Sequence, residues 1–199
     1  LAAPACLLLN KPRLSWLFAC FAAVISLLIS GALLYQVQQS GVIQYKIPTE
    51  GELSTDCQIS LENLLGSNIA NRVVFQTGDA CNLVSEMHNY DLVFAGNLID
   101  RLYQPQLFLD SMTQRIRVGG WLVITSPYTW LEDYTPQGYW LGGYVDNTGI
   151  PVDTFTGLSR ALHPHFKLGC RENIPFVIRE TARKHQHTIA ELTAWHRVE

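Results

Sequence analysis

Residues 90–130, YDLVFAGNLIDRLYQPQLFLDSMTQRIRVGGWLVITSPYTW, constrain the fold more than any other part of the chain. Asp91-Leu92-Val93-Phe94-Ala95 is too short for a helix, and its β-branched and aromatic content suits a buried strand. The strand breaks at Gly96-Asn97. Leu107, Phe108, Met112 and Ile116 then recur at the spacing of an amphipathic helix, and Gly119-Gly120 is expected to stop it. Trp121-Leu122-Val123-Ile124 returns the chain to a sheet that closes at Ser126-Pro127. Strand, helix and strand in this order predict a right-handed βαβ crossover between two parallel strands. The fold class is therefore α/β. Ligands in such sheets bind beyond the carboxyl ends of the strands, here Gly96-Asn97-Leu98 and Pro127-Tyr128-Thr129-Trp130.

The flanking residues extend this pattern. Gly78-Asp79-Ala80 follows an expected strand at residues 73–76, Asn97-Leu98-Ile99-Asp100-Arg101-Leu102 follows the next, and Ser126-Pro127-Tyr128-Thr129-Trp130 follows the third. Together they resemble the class I methyltransferases that use S-adenosylmethionine. More narrowly they resemble the C-terminal domain of the ovothiol-biosynthesis enzyme, which N-methylates the imidazole of 4-mercaptohistidine. Trp140-Leu141-Gly142-Gly143 and Pro175-Phe176-Val177-Ile178-Arg179-Glu180-Thr181-Ala182-Arg183-Lys184 are similar to later segments of that domain. The resemblance covers residues 40–197 and implies a Rossmann-like sheet with strand order 3-2-1-4-5-7-6. It also implies S-adenosylmethionine as cofactor, with Gly78, Asp79 and Ala80 beside the adenine and Asn97 and Leu98 on the cofactor side of the second turn. An iron-dependent sulfoxide synthase, in cis or in trans, is the partner it implies.

Residues 1–39 differ in kind from residues 40–199. No acidic residue precedes Glu50, and no charge lies between Arg13 and Lys46. Residues 14–35 form an almost wholly apolar stretch preceded by Lys11 and Arg13, long enough to span a bilayer with those positives on the cytoplasmic side. The family resemblance gives a second reading, an altered helix and second strand of the sheet. The family's second strand ends in an acidic residue that holds the ribose, and Leu28 stands there. The family's glycine-rich loop would fall at residues 5–13, which read ACLLLNKPR and contain no glycine, although a close backbone approach needs residues without Cβ. The N-terminal portion of the sheet is thus expected to be incomplete or atypical.

The rest of the chain reads as one domain. The 199 residues suffice for one full core. A formal net charge of −3 without a basic run argues against a nucleic-acid surface. Five widely spaced cysteines without a C-x-x-C pair indicate neither a disulfide framework nor a zinc site, and a reducing, cytoplasmic compartment is the simpler expectation. Residues 42–45 suit a short strand or link, residues 48–56 a polar turn, and residues 61–65 a short helix. Residues 134–150 lack periodicity and suit a lid or binding loop. Residues 154–163 predict a helix, and residues 166–170 and 176–195 two antiparallel strands at the sheet's edge.

Methyl transfer from a sulfonium is an in-line displacement, so the work lies in placing the nucleophile. A neutral imidazole already offers a lone pair near pH 7 and needs no strong base, so no catalytic residue is singled out. An amino-acid substrate does need partners. Arg179 or Arg183 could clamp its carboxylate, Glu180 could take its ammonium, and Tyr128, Trp130 and Trp140 could wall the ring and the cationic methyl donor. Each has a plainer reading: the charges form a solvated cluster on an edge strand, the tryptophans pack, and Gly78-Asp79 is an ordinary strand-end turn. His163-Pro-His165 and His185-Gln-His187 have strand spacing for a metal but no carboxylate or cysteine to join them, so no metal is expected. Three functions compete: an N-methyltransferase, an inactive remnant with a broken cofactor site, and an interaction module anchored in a membrane through residues 14–35. A nicotinamide dehydrogenase is disfavoured because no G-x-G-x-x-G occurs.

Overall fold

A computed structural model of the protein describes residues 40–60, 74 and 78–199, with the backbone of one further strand, β1 (Leu7–Leu9). The expectations for residues 14–35 and 61–65, and most of the strand expected at residues 73–76, lie outside the described residues. β2 (Val42–Glu50) and β3 (Leu53–Ser60) form a separate antiparallel hairpin. Half-buried Ile43, Tyr45 and Ile47 alternate with exposed Gln44, Lys46 and Pro48, which gives the hairpin one apolar face. Ile59, Cys57 and Thr55 stand opposite them. This corrects the expectation of a turn over residues 48–56: only Gly51, with φ of +53°, and its neighbour turn, and the polar residues on either side are strand.

β4 (Tyr90–Gly96), helix α1 (Pro105–Arg115) and β5 (Ile116–Ser126) follow, and β4 and β5 are parallel as expected. Pro105 at the first turn of α1 suits a position whose N–H has no helical partner. The helix ends earlier than the glycine pair suggests. Ile116 already pairs with Tyr90, and the register shift before Leu92 pairs with Trp121 makes residues 117–120 a bulge inside the strand. Gly119 takes a φ of +81°, and a Cβ on Gly120 would lie 2.9 Å from the carbonyl oxygen of Asp91. The two glycines therefore serve the bulge and the close approach of β4, not a helix stop. Arg115, buried in the last turn of α1, donates to the carbonyls of Leu83, Val84 and Met87 at 3.0, 2.9 and 3.1 Å, fastening residues 83–87 to the helix end.

The loop after β5 contains a 3-10 turn (Gln137–Tyr139) and the two-residue strands β6 (Tyr144–Val145) and β7 (Pro151–Val152). Helix α2 (Thr154–Leu162) starts at Asp153, whose carboxylate accepts the Thr156 N–H at 2.7 Å. β8 (Phe166–Arg179) and β9 (His185–Arg197) form a long hairpin, with β9 antiparallel to β5. The sheet order is β1-β4-β5-β9-β8. Val93, Ala95, Leu122, Ile124 and Trp195 share one face and are buried with Phe108, Leu109, Met112, Leu158 and Leu162 of the two helices. The parallel pair β4-β5 with the antiparallel β9-β8 beside it matches the 4-5-7-6 half of the expected Rossmann-like strand order. β1 departs from that sheet, since Leu7 to Leu9 run antiparallel to β4 opposite Phe94 to Leu92.

Candidate functional site

The carboxyl ends of β4 and β5 finish side by side. Gly96 pairs with Thr125, and the Asn97 N–H donates to the Thr125 carbonyl at 2.7 Å and to its hydroxyl at 3.3 Å. Asn97 turns the chain with φ of +50°, a conformation asparagine tolerates better than most residues. Leu98 and Ile99 then drop into the core, and residues 99–101 make a 3-10 turn. Asp100, 1% exposed, accepts the Thr129 N–H at 2.9 Å and Arg101 Nη1 at 3.0 Å. The same Nη1 donates to the Thr129 carbonyl at 2.8 Å. Thr129 has no sheet partner, so its backbone groups need partners of another kind. Asp100 and Arg101 supply them at both ends of the residue, tying the turn after β4 to the loop after β5. Asp100 Oδ1 and Asn97 Oδ1 are buried acceptors without a hydrogen-bond partner among the described residues.

The third turn meets the same region from the side. Asp79 Oδ1 accepts the Cys81 N–H at 2.9 Å, an Asx turn, while Oδ2 accepts the Tyr103 hydroxyl at 3.0 Å. The Cys81 thiol faces the Gln104 carbonyl at 3.4 Å. Ala80 is buried in the core, and Gly78 is exposed with open space around it. The structure thus brings Gly78, Asp79 and Ala80 to the segment that follows Asn97 and Leu98.

Tyr128 anchors the other side. With φ of +53° and its N–H on Ser126 Oγ at 3.0 Å, it turns back so that its hydroxyl donates to Glu191 Oε2 on β9 at 2.9 Å. Trp130 donates from Nε1 to Thr154 Oγ1 at 2.9 Å, and Trp140 stacks on it with centroids 6.2 Å apart. Trp140 Nε1 donates to the carbonyl of buried Thr135 at 2.8 Å, whose hydroxyl reaches the Leu102 carbonyl at 2.6 Å. The segment after Trp140 is pressed on α2: a Cβ at Gly142 would overlap the Asp153 backbone, and one at Gly157 the Leu141 carbonyl. Trp130 and Trp140 therefore form a stacked aromatic pair beside the β5 end, while Tyr128 is turned toward β9.

Arg179, Glu180 and Arg183 do not join them. They sit at the tip of the β8–β9 hairpin, where Glu180 pairs with Lys184 at 2.5 Å and Arg179 donates to the Thr181 carbonyl at 3.1 Å. Glu191 stands opposite Ser126, and from there to His185 six residue steps at about 3.3 Å each put the tip about 20 Å past the end of β5. The charged residues near Tyr128 are instead Glu191 and Arg171. Sequence reasoning passed over both, along with Asp100 and Arg101 as the clamp on Thr129. Glu191 carried one usable signal, an acidic residue two positions before buried Thr193 and four before buried Trp195.

Two tyrosines give the site a pH signature. Burial, with the Glu191 carboxylate beside it, drives the Tyr128 phenol far above its ordinary value of 10.0, and the hydrogen bond to Asp79 pushes exposed Tyr103 up to about 12. Raised folded values favour the neutral phenols, so their contribution to stability is complete below pH 10 and lost as pH rises through the folded values. In an alkaline titration followed by phenolate absorbance, Tyr103 is expected to ionise near 12 and Tyr128 only with unfolding. Tyr128→Phe should remove the last component alone. A Tyr128 that titrates with the ordinary tyrosines would show its hydroxyl open to water.

Fold and strand-end geometry together define an α/β, Rossmann-like sheet, with its candidate site where β4 and β5 end. Among solved structures, one on the conversion of a disulfide bond into a thioacetal group during echinomycin biosynthesis is similar at 13% identity and TM-score 0.44, over 63% of this chain and 56% of that one. The cyclase SpnF is similar at 16% identity and TM-score 0.42, over 69% of this chain and 61% of its own. An S-adenosylmethionine-dependent methyltransferase from Methanosarcina mazei is similar at 13% identity and TM-score 0.39, over 63% and 68%. The chain thus spans less than two thirds of the length of the first two. No family model matches the chain. No curated protein matches it.

Proposed function

We propose that this chain is an S-adenosylmethionine-dependent N-methyltransferase acting on the imidazole of 4-mercaptohistidine, the reaction of the ovothiol-biosynthesis domain its sequence resembles. The observation that carries the reading is the meeting of Asn97 and Tyr128 at the ends of adjacent parallel strands, with the Asp79 turn joined to them through Tyr103. The buried oxygens of Asn97 and Asp100, unpartnered among the described residues, suit a ligand rich in N–H donors, as the cofactor's amino-acid end and adenine are. Gly78, Asp79, Ala80, Asn97 and Leu98 would hold the cofactor, which supplies an electrophilic methyl group. The chain's own part is to orient the imidazole lone pair and exclude water, roles that the rings of Tyr128, Trp130 and Trp140 would share. The thiolated substrate would come from a sulfur-inserting enzyme of the sulfoxide-synthase class.

One observation favours a second reading, an inactive remnant. β1 occupies Leu7–Leu9 antiparallel to β4, within the glycine-free residues 5–13 that correspond to the family's cofactor loop. An anchored interaction module would depend on residues 14–35, outside the described residues; no described helix is long and apolar enough to cross a membrane. Calorimetric titration with S-adenosylhomocysteine decides between enzyme and remnant. Saturable heat with a micromolar midpoint, weakened about tenfold by Asp79→Ala through loss of a charged acceptor, is expected. A flat trace for the unaltered chain leaves the remnant.

A further inference from the structure

Two strands place charged side chains together beside the end of β5. Glu191 of β9, opposite Ser126, has a side chain 15% exposed. Its Oε2 is taken by the Tyr128 hydroxyl, and its Oε1 accepts both Nε and Nη2 of Arg171 on β8 at 2.8 Å. The Cζ of Arg171 lies over the Phe155 ring of α2, 3.8 Å from the centroid, and its side chain is 43% exposed. The guanidinium fork therefore closes on a single carboxylate oxygen and not on the bidentate pair that matches its geometry. Its third nitrogen, Nη1, makes no hydrogen bond among the described residues. Asp153 lies close enough for its charge to act on Tyr128 and to be acted on by Arg171.

A simple cross-strand ion pair at an exposed position contributes little. This one is unusual for its surroundings: a tyrosine turned back with positive φ to reach it, and an aromatic ring in cation–π contact with the arginine. A fixed guanidinium with an unused N–H edge beside a fixed carboxylate is the complement of an α-amino-acid zwitterion. The pair also lies at the end of β5, because its carboxylate takes the hydroxyl of Tyr128, two residues before Trp130, whereas the hairpin tip lies about 20 Å beyond β5.

We propose that Arg171 and Glu191, held by Tyr128 and Phe155, bind the carboxylate and ammonium of an α-amino acid whose side chain reaches toward Trp130. The inference rests on the methyltransferase reading for the substrate's identity, and replaces Arg179, Glu180 and Arg183 as the residues that read its backbone end. Calorimetric or NMR titration of the full chain with L-histidine, with histamine, which lacks the carboxylate, and with imidazolepropionate, which lacks the amine, tests it.

L-Histidine should bind about tenfold or more tighter than either analogue. Arg171→Gln should reduce L-histidine to the level of histamine while leaving histamine unchanged, and Arg171→Lys, which keeps charge without the fork, should fall between. Glu191→Gln should reduce L-histidine to the level of imidazolepropionate. Equal or absent binding of the three ligands by the unaltered chain overturns the proposal, as does a uniform loss of all three in both variants accompanied by a lower melting temperature. The S-adenosylhomocysteine titration is read separately. Ligand discrimination with a flat cofactor trace defeats the methyltransferase reading and keeps the clamp; a normal cofactor trace without discrimination defeats the clamp alone.

Discussion

Gly157→Ala is expected to destabilise the protein by about 2 kcal/mol or more, although alanine is the better helix former by about 1 kcal/mol. The sign is decided by what the new methyl meets. At Gly157, in the middle of α2, a Cβ would overlap the backbone carbonyl of Leu141, which no rotamer change can move aside. The loop must lift, and it carries Trp140 and the neighbouring Gly142, itself in contact with the Asp153 backbone. Loss of the Trp130–Trp140 stack should accompany the lower melting temperature as a change in tryptophan fluorescence. A variant melting above the parent would mean that the Leu141 carbonyl yields freely and that the contact does not hold the aromatic pair.

Asp100→Ala should cost about 2–3 kcal/mol, less than a fully buried pair because the Arg101 side chain is 29% exposed and recovers some hydration. The change leaves the Thr129 N–H without its acceptor and Arg101 without its carboxylate. Asp100→Asn keeps one oxygen for Thr129 and should lose about 1 kcal/mol. Urea unfolding midpoints measure the difference. In the alanine variant the loop from Tyr128 to Trp130 is freed from the turn after β4, so weakened binding of both cofactor analogue and amino acid is expected together. Equal stability of the two variants would assign the clamp to Arg101 and the Thr129 carbonyl alone.

Strands β4 and β5, helix α2 and the placement of Asn97 beside the β5 end were legible because each rests on a local pattern: an apolar run, a 3.6-residue period, a strand-end break. The end of α1 was not, because Gly119-Gly120 reads as a stop whether it closes a helix or, as here, shapes a bulge against Asp91. The β2–β3 hairpin was hidden by polar residues on its exposed face, where alternation and not composition carried the signal. The distance of the expected substrate-side charges from the β5 end was not legible, for a different reason. Arg179-Glu180 and Arg183-Lys184 stand out as a run, yet their place depends on how far the hairpin continues past β5, a non-local quantity set by pairing register. Arg171 and Glu191 lie twenty residues apart and become neighbours only through that register.

Among the described residues β8 ends the sheet, and a fourteen-residue strand with one edge unpaired among them invites pairing with another chain. This strand carries several safeguards against it. The ladder shifts register at Gly169, Pro175 offers no N–H, and Lys167, Arg171, Glu172 and Arg179 distribute both charge signs along its exposed positions. The same stretch that brings an arginine to the site thus discourages end-on stacking of sheets from separate molecules, so substitutions that neutralise it bear on colloidal behaviour as well as on binding.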